Sequence, residues 1–217
     1  MSESSPDPEW SPGLPLQAGP FAILVGAALW LARHLYELPE RIPIHWNWRG
    51  EADGFVGRSG VSLALPLLIG AAVCLMLAAL RSGLRRSVSG GAMRAATLKV
   101  LLAGEYFAAL ICCGVLAASV TSGRLLKPVL WLTFAAVVGL VLLAARTGRG
   151  IPREPERNPS AWRAGVFYVD RNDLALFVPK RAGFGYTFNF GHPAALLLTL
   201  LTLVVPLAVA LGALLLR

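Results

Sequence analysis

Between two long apolar runs the chain carries Leu38-Pro39-Glu40-Arg41-Ile42-Pro43-Ile44-His45-Trp46-Asn47-Trp48-Arg49-Gly50-Glu51-Ala52-Asp53-Gly54, a dense set of chemically capable side chains. A neutral imidazole beside a carboxylate can bind a divalent cation, relay a proton or hold a polar ligand. His45, Asn47 and Asp53 are the candidates to converge in this way, with His34 near enough in sequence to assist. Their spacing matches no specific metal-binding pattern. The alternative is structural: Asn47 and Asp53 satisfy backbone groups of a rigid loop while His45 hydrogen-bonds locally. Either reading needs the same frame. Pro39 and Pro43 fix φ and force extended neighbours, and Gly50, Gly54 and Gly57 permit tight turns. Trp46 and Trp48 are residues expected at a water–lipid interface.

A second candidate is Glu105, seven residues into an apolar run and so roughly 10 Å from its near end by helical rise. A carboxylate at that depth is costly and faces other helices rather than lipid. It is either a functional group or a neutral acid bonded to a neighbouring helix. Lys99 points about 120° away on a 3.6-residue helix, so it snorkels to the headgroups rather than pairing with Glu105. The third candidate is Val178-Pro179-Lys180-Arg181-Ala182-Gly183-Phe184-Gly185, glycines with cations. It spells no phosphate-binding loop, and attraction of Lys180 and Arg181 to anionic lipid is the stronger reading. Cys74, Cys112 and Cys113 all sit in apolar runs, which leaves neither a disulfide framework nor a zinc knuckle. Nucleophile elbows, zinc-protease helices and dinucleotide fingerprints are lacking, so nothing demands an enzyme or a cofactor.

The elements that must position these groups are membrane helices. The 217 residues are 56% hydrophobic and 15% charged, with mean hydropathy +0.62. A soluble domain carries about 25% charged residues. The net charge of +8 belongs to residues flanking apolar runs, which points to membrane orientation rather than to nucleic acid. Residues 1–18 read as a disordered acidic tail lacking the positive start of a signal peptide. Five apolar runs follow, over 21–36, 61–80, 98–120, 128–145 and 193–216. About 20 residues cross the ~30 Å hydrocarbon layer, so the first and fourth runs need snorkelling or interfacial residues at their ends. Glycines 104 and 114 allow close helix approach in the third.

Basic residues crowd the loop after the second run (Arg81, Arg85, Arg86, Arg94) and the segment after the fourth (Arg146 to Arg181). The positive-inside rule makes both cytoplasmic, with the amino terminus inside, the carboxyl terminus outside and the His45 loop facing outward. Segments 165–169, 174–178 and 186–190 read as three short strands separated by turns. The expected architecture is therefore an all-α membrane protein of five transmembrane helices, with a small three-stranded β-meander in the cytoplasmic segment before the last helix. Its divisions are the tail 1–18, the first two helices with the outer loop at 19–80, helices three and four at 81–150, the linker and meander at 151–192, and the fifth helix at 193–217.

The pattern Leu-Pro-x-x-Ile-Pro-x-His-Trp-Asn-x-x-Gly-x-x-Asp at Leu38 to Asp53 resembles the signature of a bacterial membrane family catalogued as a domain of unknown function. That family includes the immunity protein of the Sdp killing-factor system. A second block is Trp162-Arg163-Ala164-Gly165-Val166-Phe167-Tyr168, Val178-Pro179-Lys180-Arg181 and Gly183-Phe184-Gly185-Tyr186-Thr187-Phe188-Asn189-Phe190. It is similar to a second uncharacterised domain that often accompanies the first, with Asp170-Arg171 standing where that pattern usually has Asn-Pro. The resemblance implies a polytopic plasma-membrane protein. It carries over His45, Asn47, Gly50 and Asp53 as signature positions and offers no catalytic residues. The expected role is non-enzymatic, sensing or binding an extracytoplasmic peptide or envelope ligand. The basic inner segment is expected to meet membrane lipid or a cytoplasmic protein partner. The rival is a proton-coupled transporter or membrane enzyme using Glu105 and the His45 loop.

Overall fold

The structure, a computed structural model, describes residues 10–88, 91–151, 157–183 and 185–200. Four long helices make the bundle: α1 (Leu14–His34), α2 (Gly60–Ser87), α3 (Ala92–Val120) and α4 (Leu126–Gly148). All four are long and apolar enough to cross a membrane. The fifth run turns helical over 193–200, and its remainder lies outside the described residues.

The helices outrun the apolar stretches that announce them. α1 begins at Leu14, within the stretch expected as a tail, with a proline in its first turn where the missing N–H costs nothing. α2 continues through Arg81, Arg85 and Arg86, which by sequence stand in a loop. Arg85 and Arg86 in its last turn complement the negative end of the helix dipole. Arg94 on α3 reaches back to donate to the Val88 carbonyl at 2.9 Å. The α2–α3 connection is correspondingly short.

α1, α2 and α3 share one core of Leu24, Leu31, Leu63, Leu67, Cys74, Ala109 and Leu116. Among the described helices α4 packs chiefly on α3 and has no buried residue. Gly114 sets that contact: a Cβ there would lie 3.0 Å from Val129. Small residues let helix backbones approach where lipid gives no hydrophobic drive.

The sequence between α1 and α2 is a β-hairpin rather than an irregular loop. β1 (Arg41–Trp46) pairs antiparallel with β2 (Ala52–Gly57), with irregular register around His45. Its inner residue Ile42 is buried in the helical core beside Leu31, Leu63 and Leu116.

At the opposite end of α2 and α3 lies a second β element, which departs from the expected meander. β3 (Trp162–Arg163) pairs with β4 (Phe167–Tyr168), and β5 (Phe177–Pro179) pairs with β6 (Tyr186–Phe188). The two hairpins meet at a parallel bridge between Tyr168 and Asn189. Residues 174–176 are not strand. The reason is Asn189, which is fully buried. Its amide donates to the carbonyls of Asp170 (2.7 Å) and Asp173 (2.8 Å), while its Oδ1 accepts from the N–H groups of Asp170 (3.0 Å) and Gly191 (2.9 Å). The chain wraps this side chain instead of reversing tightly, so β6 rather than 174–178 comes beside β4. Phe177 then packs on Leu84 and Leu98, fastening the module to α2 and α3.

Candidate functional site

The hairpin between α1 and α2 gathers most of the signature residues. Asn47 organises its tip: Oδ1 accepts from the N–H groups of Arg49 (2.9 Å) and Glu51 (3.0 Å), and Nδ2 donates to Glu51 Oε2 (2.9 Å). This is an Asx-type turn in which a side chain replaces a strand partner. Gly50 closes it at φ +81°, a region that costs glycine nothing. Asn47 and Gly50 therefore shape the tip.

His45 and Asp53 stand across the hairpin from each other. The imidazole Nδ1 and Asp53 Oδ1 are 2.5 Å apart, with the two side chains 51% and 46% exposed. Because the pair is half open to water, its electrostatic attraction is screened and its stabilising worth is modest. Its chemical consequence is larger. With Nδ1–H donated to the carboxylate, a neutral ring carries its lone pair on Nε2, ready to accept a hydrogen bond.

His34 does not join this pair. It hydrogen-bonds the Trp30 carbonyl (2.9 Å) and stacks on the Trp30 ring (4.9 Å between centroids). Among the described residues no three His, Cys, Asp or Glu side chains gather as a metal-holding set.

Around the pair lie aromatic and cationic groups. Trp48 is 88% exposed, with the Arg49 guanidinium 4.8 Å over its ring. Arg41 lies over Phe55 at 5.2 Å. The base is pinned by Arg58, which donates to the carbonyls of Tyr36 and Leu38, both at 2.8 Å. Trp46 rests on the α3–α4 turn, where Gly123 adopts φ +83° and a Cβ would lie 2.8 Å from the indole Nε1. The hairpin is thus fixed at its base, its buried face and one side. Arg58 and Gly123 were not foreseen, and a lone arginine before a helix and a glycine in a distant turn give no local signal.

Glu105 sits apart from the hairpin, fully buried between helices. Arg81 grips it in bidentate fashion, Nε to Oε1 at 2.8 Å and Nη2 to Oε2 at 3.1 Å. Arg81 Nη1 also donates to Gln17 Oε1 at 2.9 Å, so α1, α2 and α3 meet in one polar network. The Cys74 thiol donates to the Glu105 carbonyl at 3.2 Å. Both carboxylate oxygens are thus engaged by the planar guanidinium fork. The sequence reading missed Arg81 by assigning it to a loop; the available signal was a cation at the end of one apolar run beside an acid inside the next. Lys99 turns elsewhere, with its ammonium 5.8 Å over the Trp10 ring.

Lys180 and Arg181 are exposed on the turn between β5 and β6. In the same module, burial and the hydrogen bond to Asp173 push the Tyr168 hydroxyl up to about 12. Hydrogen bonds from the Asn158 side chain and the Asn172 N–H hold the Asp170 carboxyl below its ordinary value.

Residues 22–70, which contain most of α1, the hairpin and the start of α2, match the family model described as Domain of unknown function (DUF1648). Residues 171–196, running from the Asn189 clasp through β5 and β6, match the one described as Family of unknown function (DUF5808). No curated protein and no solved structure matches the chain. Its four apolar helices and these two matched regions describe a multi-pass membrane protein similar over part of its length to two uncharacterised domains.

Proposed function

We propose that this is a non-enzymatic bacterial plasma-membrane protein of the immunity or sensing kind, whose hairpin binds an extracytoplasmic peptide or envelope ligand. The observation that carries the reading is the half-exposed His45–Asp53 pair on a hairpin anchored through buried Ile42. A rigid platform loses little entropy when a ligand docks, and exposed Trp48 with Arg49 adds apolar and cationic contact. Catalysis would need a positioned reacting group beside the imidazole and a site that excludes water. The pair is open instead.

The amino terminus lies in the cytoplasm and the hairpin outside, because the arginine-rich ends of α2, α3 and α4 and the β module share the opposite, inner side. The basic module then faces a cytoplasmic protein partner or the inner leaflet. Trp48→Cys tests the arrangement, since the natural cysteines lie in helices. Labelling by a membrane-impermeant maleimide in intact cells is expected; labelling only after permeabilisation would overturn it. A photo-crosslinking residue at position 48, compared in chains with and without His45→Ala and Asp53→Ala, tests binding. Crosslinks that vanish in both variants support the ligand reading, and unchanged crosslinks leave the pair with a structural role only.

A second reading, proton-coupled transport or membrane catalysis through Glu105, has the fully buried carboxylate in its favour. The bidentate grip of Arg81 weighs against it, because both carboxylate oxygens are already engaged. Loss of a proton-coupled activity in a folded Glu105→Gln variant would favour this second reading.

A further inference from the structure

Beside the contact of Phe177 with Leu84, a cleft of about 240 Å³ remains between the bundle and the β5–β6 hairpin, lined by Leu80, Leu84, Leu101, Phe177 and Phe188, with Thr97 and Thr187 among its polar walls. It extends along about one turn of α2 and of α3. Leu84 lies one turn beyond Leu80 on α2, and Thr97 one turn before Leu101 on α3, a step of about 6 Å in each case. The cleft therefore opens from apolar side chains within the spans toward the basic end of the bundle. There the strand pair ends at Pro179 and Tyr186, and the Lys180–Arg181 turn follows. The turn is tied to α3: Lys180 N–H donates to the Gly185 carbonyl at 3.0 Å, and the Gly185 N–H reaches Met93 Sδ at 3.3 Å. An apolar slot ending at a tethered basic turn has the polarity of one lipid molecule.

We propose that this cleft seats an acyl chain of an anionic phospholipid, whose headgroup meets Lys180 and Arg181. Charge complementarity selects the occupant. Arg85, Arg86 and Arg94 stand at the same end of α2 and α3. A zwitterionic lipid would bring the same tail and no net attraction. The volume suits the end of one chain rather than a whole lipid, so the site holds a single molecule.

Native mass spectrometry of the full chain in detergent, with phosphatidylglycerol or phosphatidylcholine added, tests this. The wild type is expected to retain one phosphatidylglycerol in preference to phosphatidylcholine. Lys180→Gln with Arg181→Gln is expected to weaken that retention about thirtyfold, from about fivefold per basic side chain near an anionic headgroup. Leu101→Trp, which fills the cleft, is expected to abolish it, and Thr187→Leu gives a smaller filling if the larger one prevents folding. Equal retention of both lipids overturns the proposal. So does undiminished phosphatidylglycerol in a folded cleft-filling variant, which would reduce the basic turn to general surface attraction. Stronger retention after removal of residues 1–9 would assign the cleft to that segment instead and overturn it as well.

Discussion

Removing one partner of the Arg81–Glu105 pair should cost far more than removing both. Glu105 is fully buried and takes two guanidinium hydrogen bonds, and Arg81 is itself buried. In Glu105→Leu the buried guanidinium loses both of its carboxylate acceptors and its counter-charge at once. Arg81→Met leaves the carboxylate buried without its cation and frees Gln17 from its place in the network. Breaking a buried pair in this way costs about 3–5 kcal/mol. Replacing both ends by apolar groups of similar volume, Arg81→Met with Glu105→Leu, removes the desolvation penalty together with the attraction, so the double variant should fall within about 1 kcal/mol of wild type or exceed it. The coupling energy from the cycle is then at least about 5 kcal/mol. Unfolding by denaturant in mixed micelles, followed by helical circular dichroism, supplies the four free energies. Single variants within about 1 kcal/mol of wild type, or a double variant as unstable as the sum of the singles, would refute the argument, because each requires that the two groups not share a buried environment.

Other expectations follow from the contacts. Ile42→Ala should cost about 2–5 kcal/mol by opening a cavity among Leu31, Leu63 and Leu116, seen as faster proteolysis at the hairpin. Asn189→Ala strips four hydrogen bonds from the turn it clasps and, at about 1–3 kcal/mol per stranded buried group, should unravel the module while the helices persist; hydrogen exchange separates the two. Gly123→Ala should displace Trp46 and add about 1–2 kcal/mol of left-handed strain, read as a shift in tryptophan emission. The Tyr168 hydroxyl rises from its ordinary 10 to about 12 on folding. Its contribution is whole below pH 10 and is lost as pH climbs through 12, up to about 3 kcal/mol. Alkaline titration of the module should show that loss, and Tyr168→Phe should flatten it.

Sequence periodicity and charge located the helices well because lipid imposes a length and a composition that few other environments do. The ends were less legible. Arg81 looks like a loop residue until Glu105 supplies its partner, and that pairing lies 24 positions away. The hairpin showed its turn residues plainly, yet its strand character was masked by Pro43 and by the register break at His45. Asn47 and Gly50 were readable because an Asx turn is local. Asp53 was readable only as a candidate, since its contact with His45 depends on two strands meeting. The clasp at Asn189 was hidden for the same reason: its four partners come from two turns, and the side chain alone announces neither.

The contact between Trp46 and Gly123 has a consequence for the order of assembly. α1, the hairpin and α2 are synthesised well before the α3–α4 turn, so the hairpin is made before one of the surfaces that hold it exists. Until that turn is in place, the indole has only its own strand and the nearby helix ends to rest on. Completion of the hairpin is therefore a late event that reports on insertion of the second helix pair, and a chain stalled after α2 would carry the His45–Asp53 pair on an unsecured strand.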